Sequence, residues 1–430
     1  MEMYLNKKYN VSSSYKLLLI SIVAYYFIFC ACPVIIGKGS LYYGIQFISA
    51  IFIIYFGYLE VRKNSFAKMN SGIRIFIQIF ICWQIIQMFR GFYSDLSLTG
   101  IARLFVYPRN ALYYLTPMLC LVSINTNRLN YFYKLSCVAF FLSLIILFPI
   151  RNILMVEELD MIGDYAGGHK LSIYNYFAIA GLPLSTVLSI GFLVINNKWP
   201  NFRSQFYVYF SLVAAIFIMV WLGRRGASAR IVFIVFLIFI LNIKKDLKWA
   251  VLSGFAIITT FLIFNKYSNE ILSYFPILAE RFMDDTRSWA EAEFFKDMKG
   301  DIWSYLFGRG SCGAYFSPTY GHRDVIETGY LDIILHSGII GLILYVSILF
   351  YSFWVGFFET KNRLINAMAL YLLAQIMFLY PTTPIGLDLS TYSIWLCIAC
   401  CINKRKQNSI KFGNSIIIPS LQSNQYKIKK

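Results

Sequence analysis

Long runs of apolar residues, separated by short polar segments, occupy almost the whole length of the chain. A helix needs about 20 consecutive apolar residues to cross the hydrocarbon core of a bilayer, so run length predicts the membrane spans. The pattern predicts twelve spans, at residues 16–36, 40–59, 75–92, 104–124, 133–150, 172–195, 205–222, 227–243, 248–265, 338–357, 364–380 and 387–402. We therefore expect an all-α polytopic integral membrane protein, in which residues 1–430 form one membrane domain.

Two of these apolar runs need comment. The first begins at Lys16; it is too long for a removed signal peptide and lacks a small-residue cleavage site, so we interpret it as a retained span. The fourth has Pro108, Arg109 and Asn110 near its start. Residues 93–110 could instead lie along the membrane interface as a short amphipathic segment.

One long polar segment interrupts the pattern. Residues 266–325, between predicted spans nine and ten, contain most of the polar chemistry of the chain. They predict one large outer loop. A polar segment of this length between spans needs a reason to be there, and binding a polar substrate is the interpretation that we favour.

Composition and charge agree with this architecture. The chain is 58% hydrophobic and 14% charged, with a mean hydropathy of +0.61, which excludes an ordinary soluble protein. With a cytoplasmic N-terminus, the inner segments hold 23 Lys and Arg against 4 Asp and Glu, and the outer segments hold 16 against 17. The net charge of +18 therefore follows the positive-inside rule. It predicts cytoplasmic termini and an outer loop, and it gives no support for nucleic-acid binding, because the basic residues are spread over many short loops.

The sequence contains no evident cofactor site. It has neither a Gly-x-x-x-x-Gly-Lys phosphate loop nor a dinucleotide-binding glycine motif. Its three histidines, His169, His322 and His336, do not have metal-ligand spacing. Cys397 and Cys400 resemble a redox pair, but they lie in the last apolar run, where packing is the simpler explanation. We therefore expect no cofactor and no metal.

Three arginines join predicted spans seven and eight, where the orientation predicts few positive charges. They are Arg224, Arg225 and Arg230, with the small residues 226–229 between them. Long side chains can reach the headgroups from such a position. Three cations without a nearby carboxylate instead favour an anionic ligand such as a phosphate or pyrophosphate.

The outer loop contains further candidates. Residues 280–299 are predicted to form an amphipathic helix, with Phe282, Trp289, Phe294 and Phe295 supplying apolar contacts. A solvated helix with surface ion pairs would explain the same pattern. The residues of this loop that could bind a substrate are Arg281 and Arg287, which flank Asp284 and Asp285, together with Trp289, Arg309 in a flexible Gly-Arg-Gly turn, His322 and Arg323.

The most specific motif follows the loop. Glu327 and Thr328 precede the nine residues 329–337, and Gly338 and Gly341 then open predicted span ten. The carboxylate could serve as a general base, or it could be a helix N-terminal charge favoured by the dipole. Thr328 could likewise be only a helix cap.

With this spacing, the chain resembles the O-antigen polymerase and ligase superfamily. In its ligases the stretch reads His, then Asn, Ser or Gln, then nine residues and Gly-x-x-Gly. This chain keeps the spacing and both glycines but has Glu327 in place of the histidine. The arginine cluster, the large outer loop and the number of spans extend the resemblance over residues 220–360.

The resemblance implies a bacterial inner-membrane glycosyltransferase that polymerises polyprenyl-pyrophosphate-linked oligosaccharide units at the outer face. It implies Glu327 as the base and Arg224, Arg225, Arg230, Arg281 and Arg287 as pyrophosphate ligands. Arg109, Trp289, Arg309, His322 and Arg323 are secondary candidates. A chain-length regulator and a flippase would be its protein partners. An O-antigen ligase, or a flippase or transporter of the same lipid-linked oligosaccharide, are the alternatives.

Overall fold

The computed structural model describes part of the chain in detail, and those residues are mostly helical. The described residues are 11–36, 40–63, 71–92, 105, 111–155, 210, 213–215, 233, 286–318, 321–360, 362–380 and 386–403. The elements are α1 (Ser13–Ile36), α2 (Ser40–Val61), α3 (Ser71–Phe92), α4 (Ala111–Leu115), a 3₁₀ helix (Thr116–Leu121), α5 (Thr126–Met155), α6 (Thr286–Asp297), α7 (Ile302–Phe307), β1 (Tyr315–Ser317), β2 (Gly321–Arg323), α8 (Gly329–Phe358), α9 (Arg363–Phe378) and α10 (Leu389–Ile402).

Apolar helices dominate the described part of the chain, as expected for a membrane protein. Three of them, Ser40–Val61, Gly72–Arg90 and Gly329–Phe358, are long and apolar enough to cross a bilayer. Four shorter apolar helices are present at Ser13–Phe29, Ala111–Leu121, Leu364–Phe378 and Leu389–Ile402. Predicted spans six to nine lie outside the described residues apart from a few isolated positions. The total of twelve spans and the sidedness of the loop stay predictions.

The predicted fourth span, 104–124, is not one continuous α-helix in its described part. A short α-helix, Ala111–Leu115, is followed by the 3₁₀ helix Thr116–Leu121. Pro117 lies in the first turn of the 3₁₀ helix, where its missing N–H costs no hydrogen bond. The backbone therefore tightens where the sequence suggested a regular span.

The helices pack around one large apolar core. Tyr15 of α1 and Tyr392 of α10 are fully buried, and the Tyr392 hydroxyl donates to the Tyr15 hydroxyl at 3.1 Å. The Trp395 indole donates to the Thr116 hydroxyl at 3.1 Å, which connects α10 to the 3₁₀ helix. Cys397 and Cys400 are buried in this core, in agreement with a packing role.

A buried ion-pair cluster joins α1, α2 and α5 at one end of the bundle. Glu60, which is fully buried, lies 2.7 Å from the Arg128 guanidinium and 2.6 Å from the Lys63 ammonium. The Ser12 and Ser14 hydroxyls also donate to Glu60. The charge pattern predicts that all of these residues lie on the cytoplasmic side, and the fold does bring them together at one end.

The outer loop contains a small core of its own. Phe294 of α6 and Met298, the residue just after α6, pack with Tyr315 of β1, Ile326 and Leu331. The strands β1 and β2 pair antiparallel, with Phe316 opposite His322. The all-α expectation is therefore wrong for this short hairpin. Within the predicted helix 280–299, the described helix is Thr286–Asp297, and Phe295 is exposed rather than packed inside.

Candidate functional site

Helix α8 is interrupted at Gly338, the first glycine of the sequence motif. The helix begins at Gly329, but Gly338 has φ 70° and ψ 177°, outside the helical region. Gly308, in the turn after α7, has almost the same conformation, with φ 70° and ψ 178°. Glycine adopts positive φ without steric cost, which explains the residue type at both positions.

The turn of residues 308–310 packs directly against this interruption. A Cβ atom on Gly338 would lie 2.1 Å from the Leu306 carbonyl oxygen, and one on Gly308 would lie 2.5 Å from the His336 carbonyl carbon. Both glycines are buried. The turn that the sequence suggested as a flexible approach to substrate is therefore held against α8.

The interruption frees helix carbonyls, and residues from elsewhere in the fold satisfy them. The backbone N–H of Arg309 donates to the Leu335 carbonyl at 2.6 Å, and that of Gly310 donates to His336 at 3.1 Å. The Trp83 indole of α3 donates to the Ser337 carbonyl at 2.9 Å. Buried backbone groups need partners, so the outer loop and α3 together stabilise the break.

The end of α3 also holds the loop. Gln87 and Arg90 both donate to the Phe307 carbonyl, at 2.8 and 2.7 Å. The backbone N–H of Ser311 donates to the Gln87 carbonyl at 3.1 Å. The loop is thus fixed to two apolar helices near the start of α8, where Glu327 lies.

Of the two histidines in this region, His336 is more buried than His322. Its Nδ1 lies 3.0 Å from the Gly310 carbonyl, and its Nε2 lies 3.0 Å from the Asp324 carbonyl. A neutral imidazole donates through one nitrogen only, so both contacts are hydrogen bonds only in the imidazolium. The side chain of His336 therefore bridges the 308–310 turn and the segment after β2.

Thr328 connects α6 to the start of α8. It occupies the N-cap position of α8, but its side chain makes no capping hydrogen bond. Its hydroxyl instead donates to the Glu291 carboxylate of α6, 37 residues earlier in the chain. Thr328 is 1% exposed, so this contact is buried on the threonine side. Thr328 is therefore the N-cap residue of α8 by position, but its side chain does not cap the helix.

Glu327 belongs to a charged cluster around Tyr315. The Tyr315 ring is fully buried, and burial raises the pKa of its hydroxyl. The Arg323 guanidinium opposes this shift, whereas the Glu293 and Glu327 carboxylates raise the pKa further. All three charged groups are therefore within electrostatic range of one phenol. Glu327 itself is exposed and accessible to a ligand.

Two polar atoms of this cluster lack a hydrogen bond in the described part of the protein. They are the Tyr315 hydroxyl and Oε2 of Glu293. The Glu293 residue as a whole is 9% exposed. The Arg323 guanidinium lies close enough to that hydroxyl to lower its pKa. An unsatisfied carboxylate oxygen in a buried position costs free energy. The cluster therefore has spare acceptor and donor capacity beside Glu327.

Arg309 has carboxylate partners. Its guanidinium donates to the Asp297 carboxylate at 2.6 Å and to the Ala314 carbonyl at 2.7 Å, and it lies 3.8 Å from Asp301. Hydrogen bonds from Ser304, together with Arg309, lower the pKa of Asp301, which caps α7. Arg309 thus holds the end of α6 and the start of α7.

The remaining loop candidates are placed as follows. His322 is exposed in β2, with its ring 5.5 Å from the Phe316 ring in an edge contact. Trp289 is partly buried in α6, one helical turn before Glu293. Arg287 lies in the first turn of α6, and its side chain is outside the described part. The other residues that the sequence singled out, within and outside the loop, lie outside the described residues; they are Arg109, Arg224, Arg225, Arg230, Arg281, Asp284 and Asp285.

The structure adds Glu291, Glu293 and Tyr315 to the residues that the sequence suggested. Glu291 and Glu293 are charged positions on an amphipathic helix, where a solvated role is the usual explanation. The spacing of Ala290, Phe294 and Met298 on one face places Glu293 beside the buried stripe. That spacing is the feature of the sequence from which Glu293 could have been identified as a buried residue. Among the described residues, no group of three or more His, Cys, Asp or Glu could hold a metal ion.

No protein-family model matches the chain, and no curated protein matches it.

Proposed function

We propose that this protein is a membrane glycosyltransferase that polymerises polyprenyl-pyrophosphate-linked oligosaccharide units at the outer face of the bacterial inner membrane. The observation that carries the proposal is the cluster of Glu327, Glu293, Arg323 and Tyr315 at the end of a long apolar helix. This position gives polar groups access to a substrate whose sugar is in water and whose lipid is in the bilayer. The resemblance of the Glu327 motif to the O-antigen polymerase and ligase superfamily supports the same activity.

The proposed reaction is a glycosyl transfer between two lipid-linked units. A hydroxyl oxygen of one unit attacks the anomeric carbon of the other and forms the new glycosidic bond. The bond between that carbon and the pyrophosphate oxygen breaks, and polyprenyl pyrophosphate leaves with the electron pair. The proton of the attacking hydroxyl passes to a base.

Glu327 is the proposed base, because the residue is exposed and lies two positions before the start of α8. Proton transfer to a positioned base contributes about 100-fold or more to rate. Arg224, Arg225, Arg230, Arg281 and Arg287 are the proposed ligands of the leaving pyrophosphate. A preorganised cation facing a developing negative charge lowers the barrier by about 3 kcal/mol. The proposal requires neither a metal nor a cofactor.

The deciding experiment is the length distribution of surface polysaccharide in cells that lack this protein. Single repeat units on the acceptor would support a polymerase that makes O-antigen, capsule or another exopolysaccharide. Full-length glycan left on the lipid carrier would identify a ligase, and repeat units trapped inside the cell would identify a flippase. Either of the last two results would overturn the proposal.

Site variants then test the assigned roles. Glu327→Gln keeps the size of the side chain but cannot accept the proton, so chain extension should fall about 100-fold or more. Arg225→Ala and Arg230→Ala should shorten the polymer far more than Lys245→Ala, the control from the predicted inner side. Normal polymer length in the Glu327→Gln variant would show that Glu327 is only a carboxylate at the helix end and not the base. Normal polymer length in both arginine variants would show that Arg225 and Arg230 only contact lipid headgroups.

A further inference from the structure

Two tyrosines form a stacked pair near the start of α8. Tyr330, in the first turn of α8, and Tyr380, just after α9, have ring centroids 6.3 Å apart and ring planes inclined by 10°. The backbone N–H of Tyr330 donates to the Leu379 carbonyl at 3.1 Å, so the main chains of the two segments are joined at this point. The tyrosine pair is therefore a fixed feature of the fold.

One ring of the pair is open to its surroundings. Tyr380 is 60% exposed, whereas Tyr330 is partly buried behind it. Because most of its surface is exposed, the Tyr380 ring can take a flat apolar partner in addition to Tyr330. The C–H face of a pyranose ring is such a partner, and aromatic side chains supply large contact areas at low conformational cost.

Polar groups surround the tyrosine pair on the side of the outer loop. The Glu291 carboxylate lies within electrostatic range of the Tyr330 hydroxyl, and the Thr328 hydroxyl bonds the same carboxylate. Glu327 lies three residues before Tyr330 in the chain, and Tyr330 packs against the apolar cluster that contains Tyr315, whose hydroxyl is within electrostatic range of Glu327. Oε2 of Glu293, buried and without a hydrogen bond, belongs to the neighbouring Tyr315 cluster.

We propose that Tyr380, stacked on Tyr330, is the platform on which the attacking sugar of the acceptor unit rests while Glu327 faces its hydroxyl. The inference rests on the proposed function and adds the acceptor site to it. Carboxylates bind sugar hydroxyls, and the exposed ring holds the apolar face of the sugar. A tyrosine that only marks the membrane interface would need no carboxylates on its polar side.

The test separates binding from chemistry. Lipid-linked repeat units would be extracted from cells lacking this protein and added, at increasing concentration, to membranes that contain each variant. Tyr380→Leu should raise the concentration of units needed for half-maximal extension about tenfold and leave the maximal rate near normal. Tyr380→Trp should keep the normal concentration dependence, because it restores an aromatic face.

A matched control is Tyr58→Leu, which removes an equally exposed tyrosine, 63% exposed, near the other end of the bundle. It should leave both parameters unchanged. The platform is wrong if Tyr380→Leu behaves as wild type, or if Tyr380→Trp fails as badly as the leucine variant while both insert normally. A fall in maximal rate alone would also overturn it. If cells lacking the protein still make full-length glycan, or trap repeat units inside the cell, the proposed function itself has failed, and that outcome is visible before any variant is compared.

Discussion

The Thr328 hydroxyl donates a hydrogen bond to the Glu291 carboxylate and so joins the start of α8 to the middle of α6. The contact links the residue next to the proposed base with the helix that contains Glu293. It has no counterpart in local helix geometry, because Thr328 leaves its own capping position unused. A side-chain pair 37 residues apart therefore helps to hold α6 against the start of α8, together with the apolar cluster around Phe294.

Loss of the Thr328 hydroxyl should loosen α6. Thr328→Val keeps the shape of the side chain but removes the donor, and a hydrogen bond to a charged group contributes about 1.5–3 kcal/mol. Amide hydrogen exchange of residues 288–297 should become faster, and Thr328→Ser should retain most of the protection. Equal exchange in the valine variant and the wild type would contradict a structural role for this bond.

Gly338 should not tolerate a side chain. Alanine there combines a positive φ, which costs about 1–2 kcal/mol, with a Cβ atom 2.1 Å from the Leu306 carbonyl oxygen. We expect a large loss of thermal stability in detergent for Gly338→Ala. Gly300→Ala is the matched control, because Gly300 also has a positive φ but nothing within 4 Å of its Cβ position. Equal melting temperatures of the two variants would show that the packing against Leu306 is unimportant.

The buried Glu60–Arg128 ion pair should be stabilising only while both of its charges are present. Glu60→Gln leaves Arg128 buried without its carboxylate, and breaking a buried pair in this way costs about 3–5 kcal/mol. The double change Glu60→Gln with Arg128→Met should recover part of that loss. Lys63→Met should cost at most about 1 kcal/mol, since the Lys63 side chain is 44% exposed. Thermal unfolding in detergent measures all three, and a double variant less stable than Glu60→Gln would contradict the charge argument.

The cap of α7 should respond to acid. Hydrogen bonds from Ser304 lower the pKa of Asp301, so its stabilising effect is present above the unfolded value of about 3.9 and is lost as pH falls through the lower folded pKa. Amide exchange of residues 304–307, corrected for its intrinsic pH dependence, should accelerate below about pH 4. Asp301→Ala should cost about 1 kcal/mol at neutral pH and show no such acid step. An acid step that persists in the alanine variant would have to come from another group.

Labelling of Cys312 can show on which side of the membrane the loop lies. It is exposed in the turn between α7 and β1. With the predicted orientation, a membrane-impermeant thiol reagent should label it in intact cells, and Cys312→Ser should abolish that labelling. Labelling that requires permeabilised membranes would place residues 286–325 in the cytoplasm and overturn the orientation drawn from charge.

Run length predicted most of the described helices because apolarity along a helix is a local property. It placed α2 at 40–59, against Ser40–Val61 in the structure. It began span ten at Gly338, where the apolar run starts, although α8 begins at Gly329. The earlier part of α8 includes Asp332 and His336, which lower its apolarity and which the fold of the outer loop accommodates.

The site was predicted only where a residue is unusual in its own neighbourhood. Glu327 stands out because a charge precedes a long apolar run. Glu293 and Tyr315 do not stand out in the sequence. They come close together because α6 packs against β1, and no local sequence pattern predicts that contact. The same is true of Thr328, whose capping position suggested a local bond and whose actual partner is remote.

The interruption of α8 at Gly338 places the first part of that helix between the loop and the bundle. The Leu335 and His336 carbonyls before the break accept from the 308–310 turn, whereas the Tyr330 N–H donates to the Leu379 carbonyl just after α9. The segment that follows Glu327 is therefore bonded on both sides. A displacement of the 308–310 turn would be transmitted through residues 329–337 to the end of α9, so that the loop and the bundle are mechanically coupled beside Glu327.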